Sequence, residues 1–186
     1  MVVQAITDLK DVKSIKKLLA NNPRDLLIFT MGINTGLRAG DLLNLKISQV
    51  ENLKIGDRVS IIEEKTSKQN VFIINKEIKK SLDSYLLTRG NYDSDEYLFK
   101  SRKYKNSKIS VHALGNYIKN WCANINLKGN FGSHTLRKTF CYIQRTVYGV
   151  SWSVISKRLN HSNPAITMRY LCIQDDEVEN ILHNNI

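Results

Sequence analysis

Apolar residues recur along this chain first at helical spacing, then at alternating positions, then at helical spacing again. Residues 8–22 (DLKDVKSIKKLLANN) place Val12, Ile15, Leu18 and Leu19 on one helical face, and Pro23 opens a second helix that stops at Thr35-Gly36. A third helix is predicted from about Arg38, with Asp41 in its first turn and Leu42, Leu43 and Leu45 pointing inward. Residues 58–75 (RVSIIEEKTSKQNVFIIN) alternate in the strand manner around a polar turn, which predicts a hairpin with Lys65 and Lys68 near its tip. Asn75 is the expected cap of a helix through Leu86, and residues 88–109 are rich in turn formers and read mostly as a loop. Beyond them, Ser110, Ser133 and Ser151 each precede a helical pattern, and Asn163-Pro164 opens a last one. The expected fold class is mainly α with a small antiparallel β-sheet, without internal repeats.

At 186 residues, 42 % of them hydrophobic, the chain suits one domain with a real core. Charge narrows the partner class. Lys and Arg number 28 against 17 acidic residues, and residues 97–174 hold 13 Lys or Arg with no Asp or Glu, although solvated surfaces normally mix both signs. A polyanion is therefore expected, nucleic acid ahead of an anionic membrane. Three widely spaced cysteines (Cys122, Cys141, Cys172) support neither a disulfide framework nor a thiolate metal site. No apolar run reaches membrane-spanning length, and a cytoplasmic, nucleoid-associated location is expected.

Candidate chemistry centres on residues 133–140, SHTLRKTF. With Ser133 as cap, His134 and Arg137 lie three apart on one helical face, beside free N–H groups that favour an anion. A plain polar helix start would look the same, so the other segments decide. Arg38 follows a Thr-Gly break in NTGLRAGDLLNL, Lys65 sits near the hairpin tip, and RLNHSNPAITMRYL puts His161 in a helix connection with Tyr170 nine residues later.

These four segments, in this order and spacing, resemble the catalytic domain of the tyrosine recombinases, or phage-type integrases, over about residues 25–172. The resemblance implies a metal-free and cofactor-free enzyme of site-specific recombination that cuts and rejoins double-stranded DNA, working as a tetramer on its DNA. It makes Arg38 and Arg137 the grip on the scissile phosphate, Lys65 the general acid, His134 and His161 supporting phosphate ligands or proton carriers, and Tyr170 the nucleophile. Asp41 is then structural, and Tyr117, Trp121, Tyr142 and Tyr148 are packing aromatics. Lys68 shares the hairpin turn with Lys65 and stays a rival for the lysine role.

Two departures from the family pattern stand out. Asn160 replaces the usual Gly before the second histidine, at a turn where Asn tolerates a left-handed backbone. Residues 1–24 are too few for the DNA-clamping domain that commonly precedes this one, so residues 1–186 read as a single catalytic domain, either a fragment or akin to short stand-alone recombinases. The acidic segment 171–186 reads as a tail that docks on a neighbouring subunit or folds back on its own domain. Competing functions are a catalytically silent DNA-binding remnant and a type IB topoisomerase-like enzyme.

Overall fold

The computed structural model describes residues 2–101 and 107–171, and the expected tail, Cys172 included, lies outside them. Its elements run α1 (Leu9–Leu18), α2 (Pro23–Thr35), α3 (Ala39–Leu43), β1 (Arg58–Ile62), β2 (Gln69–Ile73), α4 (Lys76–Arg89), α5 (Val111–Asn124), α6 (Thr135–Thr146), α7 (Trp152–Arg158) and α8 (Pro164–Leu171). The class is mainly α with a two-stranded antiparallel sheet, as the alternation of periods predicts. Among the described residues no helix is long and apolar enough to cross a membrane.

Caps fix most helix starts. The side chains of Asp8, Asn22, Asn75, Ser110 and Ser151 each accept a hydrogen bond from a backbone N–H in the first turn that would otherwise lack a partner. Ser133 does not. The cap of α6 is His134, whose side chain makes no capping bond. Thr135 organises this corner instead: its hydroxyl accepts from Gly132 N–H (3.0 Å) and donates to the Gln4 carbonyl (2.9 Å). The imidazole of His134 is thereby left for other work.

The core is one large cluster. Val12, Ile15 and Leu19 of the first helical segment join Leu27, Ile28, Phe29 and Met31 of α2, Ile78 and Leu82 of α4, and Leu114, Ile118 and Trp121 of α5. Burying each such side chain contributes about 1.5–3 kcal/mol. Leu18, expected on the same face, is exposed instead, because at 3.6 residues per turn it falls about 90° round the helix from the centre of the stripe that Val12, Ile15 and Leu19 form. Tyr148 is also exposed, whereas Trp121 packs edge-on against Phe29 and beside Tyr117. A smaller cluster of Cys141, Ile155 and Leu159 seats α7 on α6, with Tyr170 against it.

The contact between α2 and α6 is unusually close. Gly32 and Gly36, one turn apart, present no side chains, and Leu136 and Phe140 of α6 lie against them. A Cβ on Gly32 would stand 2.8 Å from Leu136 Cβ, too close for a change of Leu rotamer to relieve. Gly36 also has φ +63°, the left-handed conformation that ends α2. Arg137 sits between the two contacts.

Gly32→Ala should therefore destabilise the protein despite the better helix former. Overpacking costs about 1–3 kcal/mol, against about 1 kcal/mol of gained helix propensity. A net loss of about 1 kcal/mol lowers the thermal midpoint by roughly 2–4 °C at this size. An unchanged or raised midpoint would refute the close packing.

Candidate active site

Arg137 is almost fully buried and grips two helix ends: Nη1 donates to the Gly36 carbonyl and Nη2 to the Leu159 carbonyl, both at 2.8 Å. These residues terminate α2 and α7, where carbonyls lack helical partners and the dipole is negative. Two of the five guanidinium N–H groups are so used, leaving three for a ligand.

Arg38 caps α3 and points at the hairpin. Its Nη1 lies 2.6 Å from Glu63 Oε2 and 3.9 Å from Asp41 Oδ2, the former an ion-pair contact rather than a well-directed hydrogen bond. Glu63 is completely buried. Burial alone would raise its pKa, but hydrogen bonds from Thr66 and Asn70 and the charge of Arg38 outweigh it and hold the carboxyl at about 2. For Asp41 burial wins over the backbone bond from Glu64 and over Arg38, and its pKa is raised.

The hairpin tip is tied to α3 through Glu64, the residue before Lys65. Glu64 N–H donates to Asp41 Oδ1 at 2.9 Å, and Asn44 Nδ2 donates to Glu64 Oε2 at 3.0 Å. Lys65 lines an open pocket of about 270 Å³ together with Arg38 and His134. Lys68 is absent from its wall.

Tyr170 completes the group from α8. Its hydroxyl lies 3.3 Å from His134 Nδ1, its ring is edge-on to both His134 and His161, and Lys138 Nζ stands 4.7 Å from its ring centre. Burial pushes the phenol above its ordinary pKa, and the positive charge of Arg137 only partly opposes that. Burial, then Arg137 and the other nearby cations, push both histidines down, His161 to about 4, so both imidazoles are neutral at pH 7. His161 is oriented by Thr167, whose Oγ1 lies 2.8 Å from its Nδ1 and 2.7 Å from Ser156 Oγ. Asn160 holds φ +55°, the left-handed turn expected of a Gly replacement, and its amide donates to the Gln69 carbonyl.

The six candidate residues thus share one locality: Arg38, Lys65 and His134 line the pocket, Tyr170 touches His134 and faces His161, and Arg137 acts electrostatically on the histidines and the phenol. Sequence reading passed over Glu63, Asn70, Thr167 and Arg158. The strand period could have found the first two. Val59, Ile61 and Glu63 alternate inward, as do Asn70, Phe72 and Ile74, so a polar residue at an inward position marks each. Arg158 stands three residues after Ile155 on the same helical face, where its guanidinium donates to the Thr35 carbonyl and to Asn70 Oδ1.

A family model described as the phage integrase family matches residues 6–177. A probable integrase/recombinase, YoeC of Bacillus subtilis (strain 168), is 35 % identical over 180 residues, covering 94 % of this chain and 92 % of the relative. A crystal structure of XerA recombinase superposes with a TM-score of 0.79 at 23 % identity, over 100 % of this chain and 67 % of that one. The XerH site-specific recombinase, bound to its palindromic difH substrate in a post-cleavage complex, gives 0.72 at 22 % identity, over 91 % and 48 %. The chain therefore spans about half the length of XerH.

The buried Glu63 carries a pH signature. Its pKa is lower in the folded protein than its ordinary 4.5, so its stabilising contribution is full above that value and is lost as pH falls through about 2. The contribution is on the order of 3 kcal/mol. In denaturant titrations Glu63→Gln should be less stable than wild type at pH 7, with the difference shrinking between pH 5 and 3. The depressed His161 also destabilises the fold as pH falls below its ordinary 6.5, but it does so in both proteins, and Glu63 is the smallest of the influences on it, so the difference between the two proteins reports mainly Glu63. A difference that is flat with pH would contradict the assignment.

Proposed function

The chain belongs to the phage integrase family, the tyrosine recombinases, and on that premise we propose that it breaks and rejoins double-stranded DNA at defined sites through a 3′-phosphotyrosine intermediate. The observation that carries the reading is the Tyr170 hydroxyl set 3.3 Å from a neutral imidazole, in the same locality as Arg38 and Arg137. A half-buried phenol with an imidazole as proton acceptor, in the positive field of Arg137 and Arg38, suits attack on an anionic centre.

In the proposed reaction Tyr170 Oη attacks phosphorus as its proton passes to His134 Nδ1. The bond from phosphorus to the 5′ oxygen breaks, and the leaving oxygen takes a proton from Lys65, which lines the pocket with Arg38 and His134. Arg38 and Arg137 neutralise the charge that grows on the non-bridging oxygens, and removal of one such donor costs on the order of 10²–10³-fold in rate. His161 supports the phosphate. The phosphotyrosine ester conserves the energy of the broken bond, so a free 5′ hydroxyl from a second duplex can reverse the step and rejoin the strands. Exchange between two duplexes cuts four strands, and one tyrosine per copy calls for four copies. The basic surface suits the phosphate backbone, whose binding weakens as salt rises.

Nicked suicide duplexes, which lose the released end and trap the adduct, test the reading. Wild type should give an SDS-resistant DNA–protein band, and Tyr170→Phe none. Arg137→Ala should form adduct slower by on the order of 10²–10³-fold. A band that persists in Tyr170→Phe would assign the nucleophile elsewhere.

A further inference from the structure

Arg38 reaches toward the pocket from a five-residue helix and is 19 % exposed, so something else must fix its guanidinium. Its Nη1 rests on Glu63, and Glu63 Oε1 accepts from Asn70 Nδ2 at 2.6 Å. The other end of the Asn70 amide, Oδ1, accepts from Arg158 Nη1. Arg158 in turn donates through Nε (3.0 Å) and Nη2 to the carbonyl of Thr35, the last residue of α2 and three positions before Arg38. A ring of contacts results, from the end of α2 through α7 and both arms of the hairpin back to the start of α3. Thr35, Glu63 and Asn70 are all buried.

We propose that Arg158 is a positioning residue for Arg38, acting by fixing the orientation of the Asn70 amide. This rests on the reading of Arg38 as a phosphate ligand. An Asn side chain presents an acceptor at one end and donors at the other, and its neighbours decide which way it faces. With Arg158 in place the oxygen turns to the guanidinium, so the NH₂ group faces Glu63. Without that fork the buried Asn70 oxygen loses its donor, and the side chain shifts to find another, drawing its NH₂ away from Glu63. Glu63 then moves, and Arg38 follows it. Among the described residues Arg158 is not part of the wall that Arg38, Lys65 and His134 share: its donors go to Thr35 and Asn70, both buried. Lys cannot replace it, since a single ammonium lacks the planar fork that spans two acceptors.

Two readouts test this in the full chain. The first needs no DNA. The guanidinium NMR resonances of Arg38, assigned by their loss in Arg38→Lys, should be sharp in wild type and shifted or broadened in Arg158→Lys and in Asn70→Asp. The Asp variant keeps an acceptor for Arg158 while removing the donor to Glu63. It carries the test should Arg158→Lys not fold, as judged by thermal unfolding. Unchanged Arg38 resonances in a folded variant would overturn the proposal.

The second readout is single-turnover adduct formation on suicide duplexes bearing either an ordinary phosphate or an uncharged methylphosphonate at the scissile position. Neutral methylphosphonate has less charge for an arginine to offset. Arg38→Ala should therefore lose much more on the phosphate than on the methylphosphonate, and it calibrates the pattern. Arg158→Lys and Asn70→Asp should reproduce it, with a loss of roughly 10–100-fold on the phosphate and a much smaller one on the methylphosphonate. Equal losses on both substrates, or none on either, would overturn the proposal. If wild type forms no adduct while the variants still disturb the Arg38 resonances, the positioning ring stands and the recombinase reading falls.

Discussion

Arg137 bridges two helix C-termini, and the rest of the site depends on that bridge. Its donors to Gly36 and Leu159 fix the junction that carries Arg38 relative to the junction that carries His161 and Tyr170. Burying a guanidinium is costly unless its hydrogen bonds are satisfied. Here the partners are terminal carbonyls, which need donors in any case and lie at the negative end of a helix dipole. Satisfying the cation with carbonyls instead of a carboxylate leaves its full charge in place for an incoming anion. Gly32 and Gly36 make the geometry possible by letting α6 approach α2 without intervening side chains.

That charge helps set the electrostatic state of the site. Arg137 is coupled to both Arg38 and Arg158, and Glu63 is the buried carboxylate whose charge reaches all three. Burial, and after it the surrounding cations, hold His134 and His161 neutral, and burial keeps the Tyr170 phenol protonated. A neutral imidazole can accept a proton, and a protonated phenol does not react before DNA arrives.

Much of this was legible in the sequence, and the gaps have physical causes. Local signals carried the elements: side-chain caps at Asn75, Ser110 and Ser151, Pro at a first helical position, and alternation in residues 58–75. Ser133 misled because a capping residue type precedes the helix, while a tertiary bond between Thr135 and Gln4 decides where the first turn begins. The six candidate residues were named from short segments in order, but their convergence depends on contacts between positions far apart in the chain. Glu63 and Asn70 were readable as polar residues in inward strand positions. Arg158 offered less, since a basic residue in the last turn of a helix is expected on dipole grounds alone, and only the folded chain shows it turned inward to Thr35 and Asn70.

Whether Tyr170 and the two arginines act on one phosphate can be seen in a crystal structure of the protein with a nicked duplex and vanadate in place of the scissile group. Tyr170 Oη is expected as one apical ligand of vanadium, with nitrogens of Arg38 and Arg137 within about 3 Å of equatorial oxygens. A vanadate seated away from Tyr170, or held by neither arginine, would contradict the assignment of this site.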